Sequence, residues 1–257
     1  RENTSVYGAA DVPTISIVSD DGYKAWYDNA PAILAARNLR AGIAVIPDRV
    51  GYNSTFMTWD EMRAWVAAGH YCHTHGCRDG LDNLSLYPSV ADAVADAVWS
   101  RAQIRAQGCA VDGAENVYMF PQGRYYFDND VYRRDLTDAL LAEGFTAGRC
   151  TWTPQTFHTR HFNDAASRMI LPIMGHGWSS TDEAGNVATI SARIASCGSY
   201  GYSGTLMFHQ LVTTPATGIE CAITTFTQFM DDVETQVITN GVKNVGMQRQ
   251  IDDLVYA

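Results

Sequence analysis

Short apolar runs alternate with amphipathic stretches along most of this 257-residue chain, and that alternation limits the folds open to it. Thr14–Ser19 reads as a buried strand. Ala30–Arg40 reads as a helix, with Pro31 near its start, where the missing N–H costs little. Ile43–Ile46 is the next strand. Thr58 opens a capping box with Glu61 for a helix that runs to about Ala68. Tyr71–His73 is a strand, and Ser89–Gln107 a helix with Asp92 and Asp96 early and Arg101 and Arg105 late, as the macrodipole prefers. Val117–Phe120 (strand), Asp130–Glu143 (helix) and another short strand that begins at Phe145–Ala147 continue the pattern. From Pro154 to Ala188 the period blurs, apart from an apolar run at Met169–Met174. A helix at Ile190–Cys197, a strand at Thr205–Phe208, a helix at Thr225–Asn240 and a strand near Val242–Met247 complete it. Strand–helix alternation implies a parallel sheet covered by helices. About seven strands without a linker favour one distorted (β/α) barrel domain over two domains, with a core of about residues 14–254. Reactive groups should then collect at the C-terminal strand ends.

Composition excludes several partners. The formal charge is −10, which does not suit a nucleic-acid or anionic-membrane surface. No apolar run approaches the roughly 20 residues of a membrane span. The chain starts at Arg1 without an initiator Met, as a processed piece of a longer chain would. The six cysteines show no Cys-x-x-Cys spacing, so they do not fix the redox compartment.

The expectation about strand ends can be checked within the sequence. The first strand ends in Asp20-Asp21-Gly22. Two adjacent carboxylates repel, and a cation or a shared proton relieves them; the same triplet also makes a solvated turn. His73, His75 and Cys77 follow the third strand. Pro121, Gln122 and Gly123 follow the next, and His209 follows Thr205–Phe208. Four polar clusters at four predicted strand ends favour a site over scattered turns.

These pieces together resemble the polysaccharide deacetylase superfamily, the NodB-homology domain of carbohydrate esterase family 4. Ser19-Asp20-Asp21-Gly22-Tyr23 resembles its first motif, and His73-Thr74-His75-Gly76-Cys77 its second. Phe120-Pro121-Gln122-Gly123 resembles the third, and Leu206-Met207-Phe208-His209 the last. The resemblance implies a metal-dependent hydrolase that removes N- or O-linked acetyl groups from a poly- or oligosaccharide. It implies a divalent metal (zinc first, cobalt or a similar ion second), held by Asp21, His73 and a third ligand. Asp20 would be the general base and His209 the acid. The backbone at Gln122, beside Pro121, would help hold the oxyanion. The partner is then an acetylated glycan, which places the domain outside the cell, at a cell surface or on a virion.

The chain departs from the family pattern at two motifs. Family ligands of the second motif sit four apart, and four after His73 stands Cys77; a thiolate is a sound zinc ligand. His75 is the alternative if the chain stays extended there. In the third motif many members place an arginine two before the proline, where Met119 stands; Arg124 is the substitute within the motif. Trp152 and Trp178 are candidates for stacking on a sugar ring. His70 reads as scaffold, and His158 and His161 as surface residues. These departures keep two rivals open: a carbohydrate-binding barrel that has lost its metal, and an amidase acting on a non-sugar C–N bond.

Overall fold

The structure, a computed structural model, describes residues 12–76, 78–81, 83–124, 126–127, 131–132, 134–151, 169, 171, 173–176 and 183–250. The main strands are β1 Thr14–Ser19, β2 Gly42–Val45, β3 Tyr71–His75 and β4 Val117–Met119. After a small antiparallel pair, β5 Tyr126–Phe127 and β6 Val131–Tyr132, come β7 Ala147–Arg149, β8 Gly175–His176 and β9 Gly204–Phe208. The short strands β10 Gln210–Val212, β11 Glu220–Ala222 and β12 Lys243–Asn244 follow. The helices are α1 Lys24–Ala35, α2 Trp59–Ala67, α3 Val90–Ala106, α4 Arg134–Ala142, α5 Glu183–Tyr200 and α6 Ile223–Asn240.

The central sheet runs β7-β4-β3-β2-β1-β9-β8, with β12 also on β1, and its pairings are parallel. One segment bridges its two sides. Leu171 N donates to Gly148 O at 2.7 Å, and Met174 N to Thr205 O at 2.7 Å. The curled sheet is therefore the expected distorted barrel in one domain.

Alternation along each strand sorts the side chains. Ile15, Ile17, Ile43, Val45, Cys72, Leu206 and Phe208 face the helices in one large core. Val18, Ala44, Val117, Met119, Ala147 and Leu171 face inward, with Met247 beneath them. Trp26 of α1 anchors the outer core, with its ring 5.7 Å from Phe208 and 5.1 Å from Phe226. Phe208 is thereby fixed just before His209.

Helix α1 corrects the sequence reading. It begins at Lys24, and Pro31 lies in its interior. The proline removes one backbone hydrogen bond, while Trp26, Ala30 and Leu34 bury completely on the same helix, and packing outweighs the local cost. Thr58 and Glu61 form the predicted capping box of α2. Among the described residues, no helix is long and apolar enough to cross a membrane.

Candidate active site

Asp20 follows β1 on the inward-facing parity. Its backbone N donates to Phe208 O at 2.7 Å, and Ser19 Oγ donates to His209 O at 2.9 Å. The ends of β1 and β9 are thus tied together, which brings Asp20 and His209 into one neighbourhood.

The Asp20 carboxylate is 5% exposed. Its Oδ2 accepts from Arg149 Nη2 at 2.5 Å, and among the described residues its Oδ1 has no hydrogen-bond partner. Burial alone would raise its pKa. The charge of Arg149, with His75 and His209 adding to it, outweighs burial and holds the carboxyl below its ordinary value.

Arg149 is the functional residue that sequence reasoning missed. It is fully buried at the end of β7, in the strand whose start the sequence placed at Phe145–Ala147. Its Nε donates to Met119 Sδ at 3.1 Å, and its Nη1 meets Met207 Sδ. Met119 and Arg149 are register partners on adjacent strands. The guanidinium that the third motif lacks at position 119 therefore arrives from the neighbouring strand at the same level. Arg124, the candidate within the motif, lies half-buried just past the turn Pro121–Gly123 and makes no ion pair with Asp20 among the described contacts. The local signal for Arg149 is no more than an arginine that closes the short run Phe145-Thr146-Ala147-Gly148.

Asp21 adopts a left-handed backbone, with φ 71°, a conformation that costs a non-glycine residue of order 1 kcal/mol or more. Gly22 continues it with φ 73°. The turn splits the two carboxylates: Asp20 stays in the barrel and Asp21 reaches its rim. Asp21 Oδ2 pairs with Arg49 Nη1 at 3.0 Å, and Oδ1 lies 3.6 Å from His75 Nε2. Tyr23, whose ring stacks on Phe56 at 5.1 Å, lies near enough to Asp21 to feel its charge. Burial first, and then the Asp21 charge, push the tyrosine pKa up.

The structure separates the two histidines of the second motif. The chain remains extended through His75, so both side chains point inward, but at different levels. His73 is paired with Ala44, and His75 with Met119. Two residues of strand place them roughly 6.6 Å apart along its axis. His73 is fully buried, its Nδ1 bonds Ala114 O at 2.9 Å, and its ring lies against Gly42. Burial takes its pKa down to about 4. It is His75, not His73, that stands beside Asp21. Burial also lowers the His75 pKa against the pull of Asp20 and Asp21, which favours the neutral imidazole.

His209 is partly exposed, with its ring centroid 6.4 Å from that of Tyr23. Pro121 is buried, while Gln122 is exposed in a left-handed conformation at φ 51°. His70 is structural: its ring stacks on Trp65 at 3.9 Å and accepts from Ala41 N at 3.2 Å. Cys77, Trp152, Trp178, His158 and His161 lie outside the described residues.

The donors at the rim can be tested against a divalent metal. Two ligands of one tetrahedral zinc lie roughly 3.4 Å apart, close to the 3.6 Å between Asp21 Oδ1 and His75 Nε2. A carboxylate and a neutral imidazole are the right donor types. Among the described residues, no group of three or more His, Cys, Asp or Glu completes such a site.

Inward residues at the ends of β1, β3, β7 and the β9 turn thus bring two carboxylates, two histidines and a buried arginine to one mouth of a parallel barrel, which is the arrangement of a barrel hydrolase. The model of the polysaccharide deacetylase family matches residues 8–139, and the chain belongs to that family of carbohydrate deacetylases. No curated protein matches the chain in sequence. Among solved structures, a family 4 carbohydrate esterase from Streptomyces lividans, in complex with acetate, is similar at 12% identity and TM-score 0.52, covering 90% of each chain. A mutant of the peptidoglycan deacetylase PdaC from Bacillus subtilis is similar at 14% identity and TM-score 0.51, covering 96% of this chain and 93% of that one. A Streptococcus mutans CE4 esterase is similar at 14% identity and TM-score 0.54, covering 91% and 85%. At these identities the likeness is one of fold.

Proposed function

We propose that the chain hydrolyses N- or O-acetyl groups of a poly- or oligosaccharide with the help of a divalent metal, zinc first. The observation that carries this reading is Asp20. It is a buried carboxylate kept ionised by Arg149, with one oxygen free of hydrogen bonds from the described residues and two histidines beside it. A structural ion pair has no use for that free oxygen, whereas a general base does. Asp21 and His75 would hold the metal. Four residues after His75 stands Asp79, in the turn Arg78–Gly80; the family's four-residue spacing, restarted from His75, makes Asp79 the rival of Cys77 as third ligand. When bound, the metal would polarise the acetyl carbonyl and acidify a water. Asp20 would take the water's proton, and His209 would return a proton to the leaving amine or alcohol. The substrate class places the domain outside the cell, at a cell surface or on a virion.

One observation favours a second reading, a carbohydrate-binding barrel without the metal: Arg49 already neutralises Asp21 at 3.0 Å. Acetate release from acetylated oligosaccharides, with chelator and with added zinc or cobalt, separates the two. Release that chelator abolishes and metal restores is expected. No release under any metal, with glycan binding retained, would overturn the hydrolase reading. His75→Ala should lower bound zinc strongly, while an isosteric change at His73 should not. Cys77→Ser and Asp79→Asn, compared for zinc content, identify the third ligand.

A further inference from the structure

The turn that follows β2 brings an arginine to the mouth of the barrel. Past the end of β2, the buried Pro47 opens a single helical turn, Pro47–Arg49. Arg49 N donates to Ile46 O at 3.0 Å, and Tyr52 N donates to Arg49 O at 3.1 Å, so the Arg49 backbone is held from both sides. The segment beyond it is knitted to the motif that carries the carboxylates. Gly51 N donates to Met57 O at 2.8 Å, Met57 N to Gly22 O at 2.9 Å, and Lys24 N to Thr55 O at 2.8 Å. Tyr23 and Phe56 form an antiparallel bridge within the same seam. The Arg49 guanidinium lies over the Phe56 ring, 5.6 Å from its centroid, and sets Nη1 3.0 Å from Asp21 Oδ2. Backbone bonds and a ring contact thus aim Arg49 at one oxygen of a carboxylate whose other oxygen faces His75 at 3.6 Å. The Arg49 side chain is 30% exposed against 16% for Asp21, so the arginine can withdraw to water more readily than the carboxylate can.

We propose that Arg49 is the resident counter-cation of Asp21 and that it leaves the carboxylate when a divalent metal is loaded. The inference rests on the assignment of that metal to Asp21 and His75. One carboxylate carries a single negative charge. Its Oδ1 cannot take up a dication while a guanidinium sits on Oδ2 without strong repulsion, because like charges so close together are poorly screened where water is scarce. The dication has twice the charge of Arg49 and a second donor in His75, so it takes the carboxylate. Arg49 then turns its head to water, while its apolar stem keeps to the Phe56 ring. Two consequences follow. Asp21 is neutralised with or without the metal, so loading and removal leave the mouth of the barrel in place. The affinity for the metal is also lower than Asp21 and His75 alone would give, because displacement of Arg49 opposes binding.

The test measures zinc binding by competition with a chromophoric chelator in the parent chain, Arg49→Gln, Arg49→Lys and His75→Ala. Arg49→Gln should bind zinc at least about tenfold tighter, since the repelling charge is gone. Damage to packing lowers affinity, so it does not mimic this gain. Arg49→Lys keeps the charge and should stay near the parent, and adding His75→Ala to Arg49→Gln should abolish the gain. In the unaltered chain, saturating zinc should speed the modification of Arg49 by phenylglyoxal, followed by peptide mapping, because the guanidinium is released to water. Zinc binding that His75→Ala weakens but Arg49→Gln leaves unchanged or weakens would overturn the proposal and leave the metal assignment standing. Slower or unchanged modification of Arg49 under zinc overturns it equally, with no variant involved. Zinc bound by neither the parent nor Arg49→Gln overturns the metal assignment itself, and the proposal with it.

Discussion

Replacing Arg149 by methionine removes a charge while keeping an unbranched chain of similar length in the barrel. The structure sets the size of the effect. Arg149 is 0% exposed, and Asp20 is 5% exposed at 2.5 Å from it. With charge centres about 4 Å apart, an effective dielectric near 20 gives about 4 kcal/mol of attraction. Breaking a buried pair from one side costs about 3–5 kcal/mol, because the remaining charge is stranded. Here the stranding is severe: Asp20 Oδ1 already lacks a partner among the described residues, and the loss of Arg149 leaves Oδ2 without its donor.

Arg149→Met should therefore lose about 3–5 kcal/mol in urea unfolding at pH 7. Adding Asp20→Asn should recover much of that, because the neutral amide no longer needs a counter-charge. The cycle of both single variants and the double variant isolates the pair from general damage to packing. If Arg149→Met unfolds within about 1 kcal/mol of the parent, or if Asp20→Asn adds its own loss in full on top, the two residues do not form the coupled buried pair described above. Arg149→Lys is a further control. It keeps the charge but loses the planar fork that spans Asp20, Met119 and Met207, so its loss should be intermediate.

Two further outcomes follow from the barrel's layers. A Cβ on Gly42 would come 2.3 Å from His73 Nε2, so Gly42→Ala should cost about 1–3 kcal/mol by overpacking, and His73→Ala in the same chain should relieve part of it in denaturant unfolding. His70 has its pKa lowered to about 4, by burial first and the Arg40 charge second. The unfolded chain takes up this proton near pH 6.5 and the folded chain only near 4, so the unfolded state binds more protons between them. The His70 contribution is complete above pH 6.5 and falls by about 1.4 kcal/mol per pH unit as pH drops towards 4. Unfolding curves across this range should be less pH-dependent in His70→Phe, which keeps the stack on Trp65; parallel slopes would count against the assignment.

The fold was legible because its signals are local. Period-two apolar runs, a capping box at Thr58 and glycine stops at helix ends each act within a few residues, and β1 and β9 lie within a residue of where those signals put them. The paired carboxylates and His209 were legible for the same reason, since each directly follows such a strand. The histidine beside Asp21 was not. Spacing within the second motif favoured His73, but β3 runs two residues further than its apolar pattern, to His75. Both histidines then share a face, and only the level of each decides which meets Asp21. That level is a property of register: His75, Met119 and Arg149 are aligned across three strands. Register also explains why Arg149 was hidden. Position 149 lies 30 residues from Met119 in the chain but directly beside it in the sheet, and nothing in the spacing of one motif reports the neighbouring strand. A shift of β7 by one residue would turn Arg149 towards the helices and an adjacent side chain inward. The site therefore depends on that register as much as on the identity of its residues.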